Sequence, residues 1–259
     1  MLTARLMSER SIQAIFIACA CFCMDAFADF PAVIERIKPS IVAVGTFRQT
    51  NSPPFAFRGT GFVVSDGNTV ATNAHVVAEL VDTPGGTTFA IQTRSGAQFS
   101  VRRARLISVA AEYDLALLRF DDAALPAVSI RDSNLVREGQ SIGFTGFPIG
   151  GVLGFSPVSH RGIVSAITPV ALPGGNAQQL NEKLVKRLRA GPFNIFQLDA
   201  TAYPGNSGSP VFEADTGEVV GIINMVLVRG TRESALNQPT GIAYAIPARF
   251  LQELISSSK

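Results

Sequence analysis

The sequence has no tryptophan, two histidines and three cysteines, and each scarcity narrows what the chain can do. Cys19, Cys21 and Cys23 all sit close to the N-terminus, inside a stretch that reads as an export signal. Once that signal is removed, no thiol nucleophile, cysteine metal site or disulfide framework is left. Charged residues make up only 16% of the chain and the net charge is +2, with no basic block to attract nucleic-acid phosphates. No further helical targeting segment follows, so no stable membrane span is expected after cleavage. What the chain has in quantity is apolar residues (47%), Gly (23) and Pro (15), a composition suited to a globular fold with many turns. Its 259 residues suffice for one large domain or a two-lobed all-β unit.

The signal is read from Arg5 and Arg10, the apolar run Ser11 to Met24 and the small-x-small site Ala26-Phe27-Ala28. The run is short of the roughly 20 residues a span needs. Cleavage is expected after Ala28, giving a periplasmic or secreted protein. An uncleaved anchor is the alternative. A lipoprotein through Cys19 fits less well, because Phe16-Ile17-Ala18 is a poor approach to a lipidated cysteine.

Phe30 to Lys38 carries apolar residues at Ala32, Val33, Ile34 and Ile37, the pattern of a short helix stopped by Pro39. Apolar runs bounded by Gly, Pro, Asn or Asp follow at Ile41–Phe47, Gly61–Ser65, Thr69–Thr72, Thr88–Thr93, Ser100–Ser108 and Leu115–Arg119. Later runs are Ser141–Thr145, His160–Thr168, Ile195–Leu198, Val211–Glu213, Val219–Leu227 and Gly241–Ile246. About a dozen strands at such spacing predict an all-β sandwich or barrel. They do not alternate with helices, which argues against a parallel α/β sheet. Leu172 to Asn194 reads as a long loop insertion, with helical character over Leu180–Leu188, and serves as a solvated surface loop or as a substrate-rim or regulatory loop. Pro247–Ile255 reads as a closing helix. No internal repeat is found, and no second domain is expected.

Two histidines make the search for a general base short. His75 ends an apolar strand in Thr72-Asn73-Ala74-His75, and His160 opens one in Val158-Ser159-His160. Imidazole titrates near neutral pH, as base work requires, yet either residue alone reads first as structural. Asp114 opens the run Leu115–Leu118. A buried carboxylate is costly unless paired, and orienting an imidazole would supply the pairing. In Tyr203-Pro204-Gly205-Asn206-Ser207-Gly208-Ser209-Pro210 a serine is wedged among turn-forming residues. Glycines hold a serine this way when backbone N–H groups must face a substrate oxygen. The order His75, Asp114, Ser207 is that of a chymotrypsin-type triad. The α/β-hydrolase order needs a histidine after the serine, and none follows Ser207.

Gly59-Thr60-Gly61-Phe62-Val63-Val64 leading to Thr72-Asn73-Ala74-His75-Val76-Val77 resembles the catalytic-histidine region of trypsin-like serine proteases of the HtrA/DegP type. Tyr113-Asp114-Leu115-Ala116-Leu117-Leu118 resembles their aspartate segment. Three further blocks match in order: Arg161–Ala166, Asp199-Ala200 with Gly205–Gly208, and Gly241–Pro247. The resemblance covers about residues 30 to 255.

It implies a chymotrypsin-type double β-barrel over 29–259, with the active site between the barrels and no metal or organic cofactor. Carried over by position, Ser207 is the nucleophile, His75 the general base and Asp114 the group that orients it. Gly205-Asn206-Ser207 would form the oxyanion hole through the N–H groups of Gly205 and Ser207. Thr201, Asn224, Met225, Val226, Ile242 and Tyr244 would line the primary pocket, favouring small or medium aliphatic residues before the cut. Three departures stand out. Ser209 replaces a usual glycine and could crowd the wall of the cleft. Asn206 stands where digestive relatives carry an aspartate that pairs with a new N-terminus, which implies activity without propeptide cleavage. The sequence runs to Lys259, and the PDZ module usual after such a protease domain is expected to be missing. The function implied is an exported serine endopeptidase acting on unfolded or extended polypeptide. A binding or chaperone-like protein with weak or gated catalysis, or an esterase on the same scaffold, stays open.

Overall fold

The computed structural model describes residues 29–78, 86–95, 98–149, 155–169, 193–224 and 241–258. The expected export signal, the helical stretch 180–188 of the insertion, and Met225 and Val226 lie outside the described residues.

Successive side chains of a strand point to opposite faces, so a strand buried on both sides reads as an unbroken apolar run. β1 (Ile41–Phe47) shows this directly. Ile41 and Ala43 enter one core cluster, Val42 and Val44 another. β6 (Leu115–Arg119) divides likewise, Leu115 and Leu117 against Ala116 and Leu118. Between them lie β2 (Phe55–Val64), β3 (Thr69–Asn73), β4 (Thr88–Ser95) and β5 (Gln98–Ala110). The six close into an antiparallel barrel in the order β1-β2-β3-β6-β5-β4. The second barrel contains β7 (Ser141–Gly146), β8 (Val158–Pro169), β9 (Asn194–Asp199), β10 (Pro210–Glu213), β11 (Val219–Ile223) and β12 (Ile242–Pro247). Its order is β10-β11-β12-β9-β8-β7, which repeats the topology of the first without any sequence repeat.

Each barrel has its own interior: Val44, Val63 and Ile91 in the first, Ile142, Phe144 and Leu198 in the second. A third cluster takes residues from both barrels and both terminal helices, among them Phe62, Leu117, Phe212 and Ile222. Burying one such side chain contributes about 1.5–3 kcal/mol, so this seam holds the lobes in register. The N-terminal helix Phe30–Ile37 starts with Pro31 in its first turn and buries Val33 and Ile37 there. The C-terminal helix Ala248–Ser257 buries Phe250, Leu251 and Leu254.

The structure moves some expected boundaries. β2 begins at Phe55, not Gly61, because Phe55–Phe57 pair with Gly45–Phe47 across a bulge at Val44/Gly45. β11 spans Val219–Ile223, and the remainder of the expected run beyond Asn224 lies outside the described residues. Asn194, expected in the insertion, already pairs with Pro169 as the first residue of β9.

Candidate active site

Asp114 sits in a tight turn just before β6 with φ +56, a left-handed conformation that aspartate tolerates better than most side chains. Tyr113 helps pin that turn by stacking on Phe250 of the C-terminal helix, ring centroids 4.0 Å apart. The Asp114 main-chain carbonyl accepts from Ala74 N–H at 3.0 Å and from Asn73 Nδ2 at 3.1 Å. These bonds tie the aspartate to the point where β3 gives way to the one-turn helix Ala74–Val77. His75 lies in that helix and not in the strand. Its N–H donates to Asp114 Oδ1 at 2.9 Å, and its Nδ1 bonds Oδ2 at 2.5 Å. The carboxylate is 1% exposed. A carboxylate only accepts, so the ring proton sits on Nδ1 and the Nε2 lone pair is left available.

Asn224 joins this network. The resemblance put it on a pocket wall. Instead its side chain is fully buried and Nδ2 donates to Asp114 Oδ2 at 2.8 Å. Its role follows from tertiary packing, since 110 residues separate the partners, and nothing in the local sequence marks it.

The backbone bonds of the serine turn show which of its groups are spent, because buried N–H and C=O groups are almost always paired. Tyr203 O accepts from Asn206 N–H at 3.0 Å, Pro204 O from Ile149 N–H at 2.6 Å and Asn206 O from Ser209 N–H at 2.9 Å. Gly205 O accepts from Thr60 Oγ1 at 2.7 Å and Ser207 O from Thr60 N–H at 2.9 Å. Gly208 N–H donates to Ile223 O at 3.0 Å. Among the described residues, the N–H groups of Tyr203, Gly205 and Ser207 in this turn find no acceptor. Those of Gly205 and Ser207 are the two donors expected of an oxyanion hole. The N–H of Asn206 is not available for that purpose, since it closes the turn onto Tyr203.

Thr60 is the residue that sequence reasoning missed. Fully buried in β2, it uses its N–H and hydroxyl on the serine turn, and its hydroxyl also accepts from Phe147 N–H at 3.0 Å. Its carbonyl accepts from Thr72 Oγ1 at 2.7 Å. The turn presses so closely here that a Cβ on Gly208 (φ +86) would lie 2.0 Å from Thr60 O. A Cβ on Gly59 would lie 2.8 Å from Val76 and 3.1 Å from Ser207 O, so the serine turn and the His75 helix meet across that glycine. The signal was present in Gly59-Thr60, whose glycine permits the approach.

Ser209 does not crowd the cleft. It is fully buried beneath the turn beside Gly146, where a Cβ would meet its Oγ at 2.0 Å. Asn206 is also fully buried, its amide without a partner among the described residues. Of the expected pocket residues, Thr201 is partly exposed, and Ile242 (43% exposed) and Tyr244 share one face of β12, opposite Ala243 and Ala245.

His160 lies apart from this network. Its ring stacks on Phe144 at 4.5 Å, and Nε2 has no partner among the described residues. Burial pushes its pKa below the ordinary value, because desolvation disfavours the imidazolium. The unfolded chain therefore takes up this proton at about pH 6.5, before the folded one does. Stability from this group is full above that pH and falls as pH drops toward the lower folded value. His160→Phe is expected to lessen the fall in melting temperature between pH 7 and pH 5. An equal fall in both proteins would contradict it.

Two closed six-stranded barrels, with an Asp–His pair and a glycine-flanked serine turn at their seam, define the chymotrypsin-type class. A family model described as a trypsin-like peptidase domain matches residues 59–222, and the chain belongs to that family. Its relatives are of the HtrA/DegP type. The chain is 31% identical over 201 residues to a probable periplasmic serine endoprotease, DegP-like, of Marinomonas sp., covering 78% of this chain and 35% of the relative. A protein of the same description from Pseudomonas fluorescens is 34% identical over 201 residues, with the same two shares, 78% and 35%. Serine protease HTR4 of Rattus norvegicus is 27% identical over 230 residues, covering 87% of this chain and 39% of the relative. The chain thus spans 35–39% of the length of these curated relatives. Among solved structures, the HtrA-type protease AlgW with decapeptide aligns with a TM-score of 0.64 at 23% identity, over 89% of this chain and 67% of that one. AlgW with tripeptide gives 0.61 at 25% identity, over 88% and 63%.

Proposed function

We propose that this chain is an exported serine endopeptidase that hydrolyses extended or unfolded polypeptide through Ser207, His75 and Asp114. The observation that carries the reading is the buried Asp114 carboxylate bonded to His75 Nδ1 at 2.5 Å, which leaves Nε2 as the base. As Ser207 Oγ attacks the scissile carbonyl carbon, its proton passes to His75 Nε2. The oxygen of the tetrahedral intermediate takes the negative charge and accepts from the Gly205 and Ser207 N–H groups. Asp114 stabilises the imidazolium. Collapse breaks the C–N bond, and His75 hands its proton to the departing amine. Water then repeats the sequence on the acyl-enzyme, giving its proton to His75 and its oxygen to the new carboxyl group while Ser207 leaves as the free hydroxyl. Asn206, buried and neutral, needs no ion pair with a new N-terminus, in keeping with activity without propeptide cleavage.

Treatment with a fluorophosphonate followed by peptide mass spectrometry tests the reading. The expected adduct is on Ser207, in a chain whose N-terminus is Asp29. Absence of an adduct, or one on another serine, overturns the hydrolase assignment; an intact Met1 overturns signal cleavage alone.

A further inference from the structure

Gly205 N–H can serve the oxyanion only if the Pro204–Gly205 peptide faces one way, and Gly205 cannot decide that itself. Glycine accepts either orientation, and here its φ is +100. The carbonyl and N–H of a trans peptide point in opposite directions, so whatever holds Pro204 O also aims Gly205 N–H. That carbonyl is held at 2.6 Å by Ile149 N–H, three residues past the end of β7. Ile149 makes this bond with φ +59, where a β-branched side chain is a genuine outlier. Its side chain is 44% exposed, so packing does not explain the conformation. Backbone strain of this kind persists where the surroundings impose it.

Resting on the hydrolase reading above, we propose that Ile149 is a positioning residue for the oxyanion hole. Its N–H aims the Gly205 N–H by holding the other side of the same peptide, and its left-handed strain makes that hold conditional. The side chain at position 149 thereby sets the fraction of molecules with a competent hole. Glycine and asparagine, which adopt this conformation readily, raise that fraction; proline, which cannot adopt it and has no N–H, abolishes it.

The test compares wild type with Ile149→Gly, Ile149→Asn, Ile149→Val and Ile149→Pro, using fluorophosphonate labelling rates and steady-state kinetics on an unfolded protein substrate. Gly and Asn are expected to move the hole equilibrium about five- to thirtyfold toward the competent state, the population equivalent of the left-handed penalty, and thereby to raise kcat and the labelling rate. KM is expected to stay unchanged. Val, equally strained, should match wild type within about twofold, and Pro should lose at least about a hundredfold in kcat, the scale of one oxyanion donor. Wild-type rates in both the Gly and Asn variants, or an increase in Val as large as theirs, would overturn the proposal even if Pro fails to fold. A wild type that takes no label at all would sink the hydrolase reading and this inference together.

Discussion

Ser207→Ala is expected to lower polypeptide hydrolysis by about 10⁴- to 10⁶-fold while the fold persists. The substitution removes one oxygen and no backbone contact. Ser207 O keeps its bond from Thr60 N–H, and the flanking bonds of Asn206, Gly208 and Ser209 are all main-chain. Ser207 is 6% exposed, so little surface changes either. Both free N–H groups remain, and such a site retains about 10³- to 10⁴-fold catalysis over water from the hole and from binding. The loss should therefore fall on kcat, with KM nearly unchanged, since the oxyanion donors act where charge develops. Initial rates on a denatured protein, with the melting temperature measured in parallel, check this. Activity within tenfold of wild type in a folded variant would remove Ser207 from the chemistry.

The same turn shows how far the sequence could be read and where it stopped. Ile41–Phe47 and Leu115–Arg119 were legible to the residue because both faces of each strand are buried and turn residues bound them. Phe55–Arg58 was not, since it becomes strand only by pairing with β1 across a bulge that no local pattern announces. His75, Asp114 and Ser207 were legible as residue types in a known order. Asn224, Thr60 and Ile149 were not, because each acts through a hydrogen bond to a distant segment. Two of those use main-chain groups, which every residue type possesses. Composition alone cannot say which backbone N–H finds a partner. The opposite case is the N–H of Asn206: the motif alone leaves it a candidate donor, and only the turn geometry shows it spent on Tyr203.

Asp114→Asn is expected to cut kcat by about 10⁴-fold with little loss of stability, and the reason lies in counting donors. Asparagine is isosteric and adopts the left-handed conformation as readily as aspartate, so the turn at φ +56 survives. The donors on the carboxylate include His75 N–H on Oδ1, and His75 Nδ1 with Asn224 Nδ2 on Oδ2. An amide offers one oxygen and one NH₂. With the oxygen toward His75 Nδ1, the NH₂ confronts the His75 backbone N–H, donor against donor in a buried site. With the amide reversed, its oxygen accepts that N–H and its NH₂ donates to Nδ1, while Asn224 can present Oδ1 by turning its own amide. The second arrangement sets no donor against a donor at His75 and wins. It also places the ring proton on Nε2, the wrong tautomer for taking a proton from Ser207. Nitrogen-15 NMR of the His75 ring should find the proton on Nδ1 in the wild type and on Nε2 in the variant. If the variant keeps Nδ1 protonated yet loses activity, Asp114 acts by stabilising the imidazolium and not by setting the tautomer, and the donor count at Asn224 would not govern catalysis.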